Sequence, residues 1–105
     1  MATSQEYIDY VCEQITGVGD VTYRKMFGEY MIYVNAKPIL LVCDSMVFVK
    51  MLDCIKYLMN TAEAGEPYKG AKAHYILDVE NKEFAKQIIS ILETNTAVPR
   101  PKKKK

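Results

Sequence analysis

The sequence predicts an α+β fold: a two-layer sandwich in which an N-terminal and a C-terminal helix pack on one antiparallel β-meander sheet. Three observations lead there. Apolar residues recur at helical spacing near both ends of the chain. Between them the period changes to short runs of aromatic and branched residues. Those runs are separated by turns too short for anything but hairpins. Two amphipathic helices need an apolar surface, and one face of a sheet supplies it.

Thr3-Ser4-Gln5-Glu6 reads as a capping box, with Thr3 as cap and Glu6 three residues on. Tyr7, Ile8, Val11, Cys12 and Ile15 then form one stripe. Gly17 and Gly19 end it, so a helix is expected over 4–16. Glu29-Tyr30-Met31-Ile32-Tyr33-Val34 is the first strand and Asn35-Ala36-Lys37 a tight turn. Pro38 belongs at the start of the second strand, Ile39 to Cys43, where its missing N–H does least harm. Asp44-Ser45 makes another tight turn before a third strand over 46–50. Asp53 is placed to cap a short helix through Asn60, with Ile55, Leu58 and Met59 inward. Residues 62–73, with Gly65, Pro67 and Gly70, read as an ordered loop that Tyr68 anchors on the core. A fourth strand covers 74–79. Asn81 caps a last helix whose buried face carries Phe84, Ile88, Ile91 and Leu92.

With 105 residues, half of them hydrophobic, the chain suits one domain that folds without metal or disulfide. That domain is expected over 1–96, with a disordered basic tail over 97–105. The net charge of +1 conceals an asymmetry. Five of the fourteen basic residues, Arg100 and Lys102, Lys103, Lys104 and Lys105, lie in the tail. The remaining nine face thirteen acidic residues, so the body is near −4. Such a body is not a nucleic-acid surface in its own right. Attraction to phosphate would come mostly from the tail and would depend strongly on salt. Neither a signal peptide nor a membrane-spanning run is legible, and the odd count of three cysteines suits reduced thiols. A cytoplasmic protein is the expectation, monomeric or paired through an exposed sheet edge.

Catalytic chemistry finds no constellation. His74 is the only histidine, and no Cys-x-x-Cys pair exists. Cys12 and Cys43 read as small buried hydrophobes. Cys54, near a helix N-terminus, is the one thiol with an argument for reactivity. Gly17-Val18-Gly19 lacks the pattern of a phosphate loop. The eight tyrosines suit the border of a sheet core, with ring buried and hydroxyl wet. No enzyme activity and no cofactor or metal is expected. The alternatives are weak nucleic-acid binding through the tail and a small thiol protein using Cys54 or His74.

Tyr23-Arg24-Lys25-Met26-Phe27-Gly28-Glu29-Tyr30 and the strands after it resemble the N-terminal domain of the TfoX/Sxy family, bacterial competence regulators. The shared pattern is an Arg-x-Met-Phe-Gly core and a hairpin turn before a lysine, here Asn35-Ala36-Lys37. Lys50 then follows a further strand, and Pro67-Tyr68 lies in the connecting loop. The likeness runs from about Glu6 to Leu92. It departs at Ala36, where many members have glycine, and the second, helical domain of longer members is not expected within these 105 residues. The resemblance implies helices on an antiparallel sheet and no catalysis. It also implies a role in transcription through protein contacts, since full-length members act with the cyclic-AMP receptor protein. It singles out Arg24, Met26, Phe27 and Gly28 without assigning them a task. Two physical accounts are open. In one, Met26 and Phe27 plug the core end, Gly28 allows a bend, and Arg24 stacks on Tyr23 or Tyr30 or pairs with a carboxylate. In the other, Arg24 and Lys25 form a cationic patch for a partner.

Overall fold

The computed structural model describes residues 4–26 and 29–96. The side chain of Met26, Phe27 and Gly28, and the five tail cations, lie outside the described residues. So do the core plug and bend expected at 26–28 and the tail expected over 97–105.

Among the described residues six antiparallel strands form one sheet in the order β1-β2-β3-β4-β6-β5. They are β1 (Val21–Met26), β2 (Glu29–Val34), β3 (Lys37–Cys43), β4 (Met46–Val49), β5 (Ala64–Gly65) and β6 (His74–Ile76). Helices α1 (Gln5–Gln14) and α2 (Lys82–Asn95) complete the α+β sandwich.

Local chemistry accounts for the elements. The cap of α1 is Ser4 rather than Thr3: its hydroxyl accepts the Tyr7 N–H at 3.1 Å. The helix stops at Gln14, two residues short of expectation, and Gly17 (φ 106°) carries the exit. Asn81 caps α2 as expected, accepting from the Phe84 N–H at 3.3 Å. The β2–β3 turn has Asn35 at φ 54° and Ala36 at 69°, and the β3–β4 turn has Asp44 at 55° and Ser45 at 59°. Two consecutive left-handed residues are the signature of the two-residue turn that suits the twist of a hairpin. Pro38 lies opposite Tyr33, where the register shifts, so its missing donor falls at an irregularity in the ladder.

Several expectations need correction. Residues 21–26 form a full strand in register with β2, from Val21 opposite Val34 to Met26 opposite Glu29. Val21-Thr22-Tyr23 has the branched and aromatic character of a strand, and it extends the sheet by one strand before the motif. The expected helix over 53–60 is a single 3₁₀ turn, Asp53–Ile55, and Asp53 caps nothing: the cap position is Leu52, with no side-chain bond. Ile55 and Met59 still point inward. Tyr68 does not anchor the loop. It is 54% exposed, and the neighbouring Pro67 is the buried residue. The loop also contains β5, which pairs Ala64 with Tyr75. Strand β6 ends at Ile76, although the Leu77 N–H still reaches the Val47 carbonyl at 2.9 Å.

One face of the sheet carries the core. Ile32, Val34, Leu40, Val42, Val47 and Val49 pack with Ile8, Val11 and Ile15 of α1 and with Ala85, Ile88, Ile89 and Leu92 of α2. On α2 the buried stripe is thus wider than expected, and Ile91 and Phe84 are only half-buried. Burial alternates strictly along β2, so its other residues, Glu29, Met31 and Tyr33, face away from the helices. Among the described residues no helix is long and apolar enough to cross a membrane.

Candidate functional site

Residues opposite one another in paired strands share a face of the sheet. Arg24 lies opposite Met31, Met31 opposite Leu41, Leu41 opposite Phe48, and Phe48 opposite Ile76. This row crosses the face that no helix covers. The loop after β5 folds over part of it and leaves a groove of about 330 Å³. Met31, Ile39, Leu41 and Phe48 contribute to its floor, and Tyr68 and Ala71 come from the loop. Pro38 and Leu40 of β3 also border it, and Lys50, Lys72 and His74 supply its polar lining. No carboxylate lines it among the described residues.

His74 is fixed at this rim. Its Nδ1 lies 2.8 Å from the Lys72 carbonyl. A carbonyl only accepts, so Nδ1 donates and Nε2 remains for another contact. The ring meets Phe48 edge-on, with centroids 6.5 Å apart. His74 opens β6 opposite Gly65, and its ring borders the groove.

A second concavity, of about 560 Å³, opens at one end of the sandwich. Tyr7, Tyr10 and Phe84 line it together with Glu63, Asp78 and Glu80. Burial pushes the Tyr7 hydroxyl pKa above the ordinary tyrosine value, and Tyr10, Glu80 and Asp78 push in the same direction. Asp78 is already engaged, accepting the Glu80 N–H at 3.0 Å. This end groove is acidic where the sheet groove is basic.

No protein-family model matches the chain. A relative from Spirochaeta aurantia is 31% identical over 107 residues, a match that spans 100% of this chain and 93% of the relative. That relative is an uncharacterized 12.7 kDa protein in the trpE 5′ region. The chain belongs to its family. Membership establishes kinship over the full length and assigns no chemistry.

Within this family member, the structure separates residues that the sequence presents as neighbours. Arg24 and Lys25 are both exposed on β1, but alternation turns them to opposite faces. They do not form one patch. Arg24 also cannot stack on Tyr23 or Tyr30, which share the helix side, where their rings meet edge-on at 5.7 Å. The Tyr23 hydroxyl accepts from Gln5 Nε2 of α1 at 2.7 Å, tying the edge strand to the helix layer. Conversely, the open face carries Arg24, Lys50 and Tyr68, which are distant in sequence.

Lys37, another position of the pattern, has a structural task that sequence reasoning missed. Its Nζ donates to the Glu93 carbonyl at 2.8 Å and to the Glu93 carboxylate at 3.0 Å, at the end of α2. Asn35 donates from Nδ2 to the same carboxylate at 3.3 Å and accepts the Asp20 N–H at Oδ1 at 2.9 Å. Gly19 belongs to this cluster, because a Cβ there would lie 2.8 Å from the Asn35 side chain.

The thiols do not assemble into a site. Cys43 is buried, and burial, then the charge of Glu29 and a hydrogen bond with it, then Asp44, push its pKa up to about 12. Cys12 is half-buried and also raised, by burial first and by Asp9 second. Cys54 is half-buried and packs against the core. Among the described residues no three His, Cys, Asp or Glu side chains converge to hold a metal.

Proposed function

We propose that the protein is a non-enzymatic interaction module, similar to the TfoX/Sxy N-terminal domain, that works in the cytoplasm and modulates transcription through protein contacts. The observation that carries this reading is the open sheet face. Arg24, Lys50 and Tyr68, all positions of the resemblance, are exposed on it, while the body as a whole is near −4. Cations gathered on an acidic body steer an acidic partner and fix its orientation. The face needs no chemistry of its own to do this.

The test is capture of partners from the native host by the tagged protein, comparing wild type with Arg24→Glu, Lys25→Glu and a 1–96 truncation. The expected result is a transcription component that is lost with Arg24→Glu, retained with Lys25→Glu and retained by the truncation. Retention of every partner by Arg24→Glu removes the open face from the account. The basic tail favours a second reading, weak nucleic-acid binding. Its signature is nucleic acid alone in the eluate, lost with the truncation and with added salt.

A further inference from the structure

We propose that the groove on the open sheet face is a binding site for a small apolar carboxylate, such as a medium-chain fatty acid or an arylalkanoate. The inference stands independently of the transcriptional reading. It begins with the size and chemistry of the lining. At about 330 Å³ the groove has room for a chain of several carbons or one ring. Its floor is Met31, Ile39, Leu41 and Phe48, of which Phe48 is only 4% exposed and Ile39 7%. A bare anion such as phosphate gains nothing from that floor, since apolar side chains offer it no donor.

The rim selects the other half of the ligand. Lys50 and Lys72 are exposed cations from two different segments, one after β4 and one before β6. His74 stands beside them, but with Nδ1 donating to the Lys72 carbonyl the Nε2 of a neutral ring is an acceptor, so the two ammonium groups carry recognition of the head. No carboxylate lines the groove among the described residues to neutralise these groups, although acidic residues outnumber basic ones in the body. An apolar body with no charge would leave the ammonium groups unused. An apolar cation would be repelled by them. An apolar carboxylate satisfies both parts of the lining, its chain against Leu41 and Phe48 and its head among the lysines. The end groove, with Glu63, Asp78 and Glu80, is the wrong sign for the same ligand and serves as an internal control.

The experiment is a two-dimensional amide NMR titration of the full-length protein with sodium octanoate, 1-octanol and sodium acetate. Octanoate is expected to shift amides of residues 39–41, 48–50 and 71–74 and to saturate with a Kd of about 1 mM or below. Octanol lacks the charge and acetate lacks the chain, and each is expected to bind at least about tenfold more weakly. The Lys50→Glu/Lys72→Glu double variant changes two exposed residues and should keep the native spectrum while weakening octanoate at least about tenfold. Leu41→Gln, on the half-buried floor, should weaken octanoate as well. The proposal is overturned by no saturation up to about 10 mM octanoate. Equal binding of octanol, shifts centred on Tyr7 and Tyr10, or indifference to the double charge reversal overturns it too.

Discussion

Ala36 occupies a backbone conformation that residues with a Cβ avoid. At φ 69°, beside Asn35 at 54°, it is the second residue of a two-residue hairpin turn. Asparagine tolerates that region and alanine does not share the tolerance. The left-handed conformation costs a residue with a Cβ about 1–2 kcal/mol. The larger entropy of unfolded glycine takes back about 0.4–1 kcal/mol. Ala36→Gly is therefore expected to stabilise the protein by roughly 0.5–1 kcal/mol, read as a higher urea midpoint with an unchanged slope. The site is exposed, so packing does not oppose the change. The sequence marks this as a turn through Asn35-Ala36-Lys37, but the sign of φ that makes Ala36 the weak point comes from the hairpin's twist.

At the scale of elements, the β2–β3 hairpin holds the end of α2. A helix leaves its last carbonyls without partners, and its C-terminus favours a cation. Lys37 supplies both needs from a different element, through the Glu93 carbonyl and carboxylate. Lys37→Met should cost about 1 kcal/mol through the lost hydrogen bond to that carbonyl. Amide exchange should quicken first in the last turn of α2. The same contact makes stability depend on acid. The hydrogen bond from Lys37 comes first, then that from Asn35, and together they hold the Glu93 carboxyl below its ordinary 4.5. A carboxyl with a lowered folded pKa adds stability above its unfolded value and loses it as pH falls through the folded one. Wild type should therefore lose stability below about pH 4.5 more steeply than Glu93→Gln, as measured by urea midpoints at several pH values. A Lys37–Glu93 pair could not be read from sequence, because the residues are 56 positions apart and carry no shared periodicity.

For the whole molecule, the decisive fact is that the sheet has one covered face and one open face. Leu40 and Leu41 are neighbours in β3 and test this directly. Leu40 is fully buried under the helices, whereas Leu41 is half-buried on the open face. Leu40→Ala should cost about 3 kcal/mol, within the range for a core leucine that leaves a cavity. Leu41→Ala should cost about 1 kcal/mol, because part of its surface is already in water and the loop can settle. Equal losses measured by chemical denaturation would mean that both faces are core, and the groove with its cations would lose its claim to be a site.

The sequence by itself determined the α+β class, both helices, the two tight turns and the apolar stripe along α1. It could do so because periodicity, caps and turn chemistry act within a few residues. It also determined the charge split between body and tail, which is a matter of counting. Only the tertiary structure decided that β1 is an edge strand, that Arg24 and Lys25 part to opposite faces, and that Lys37 serves α2. It alone brought Lys50, Lys72 and His74 around the Leu41 and Phe48 floor. The physical reason is the same in each case. Strand order, register and loop placement fix which distant side chains share a face, and these follow from burying the whole core at once rather than from any local stretch of chain.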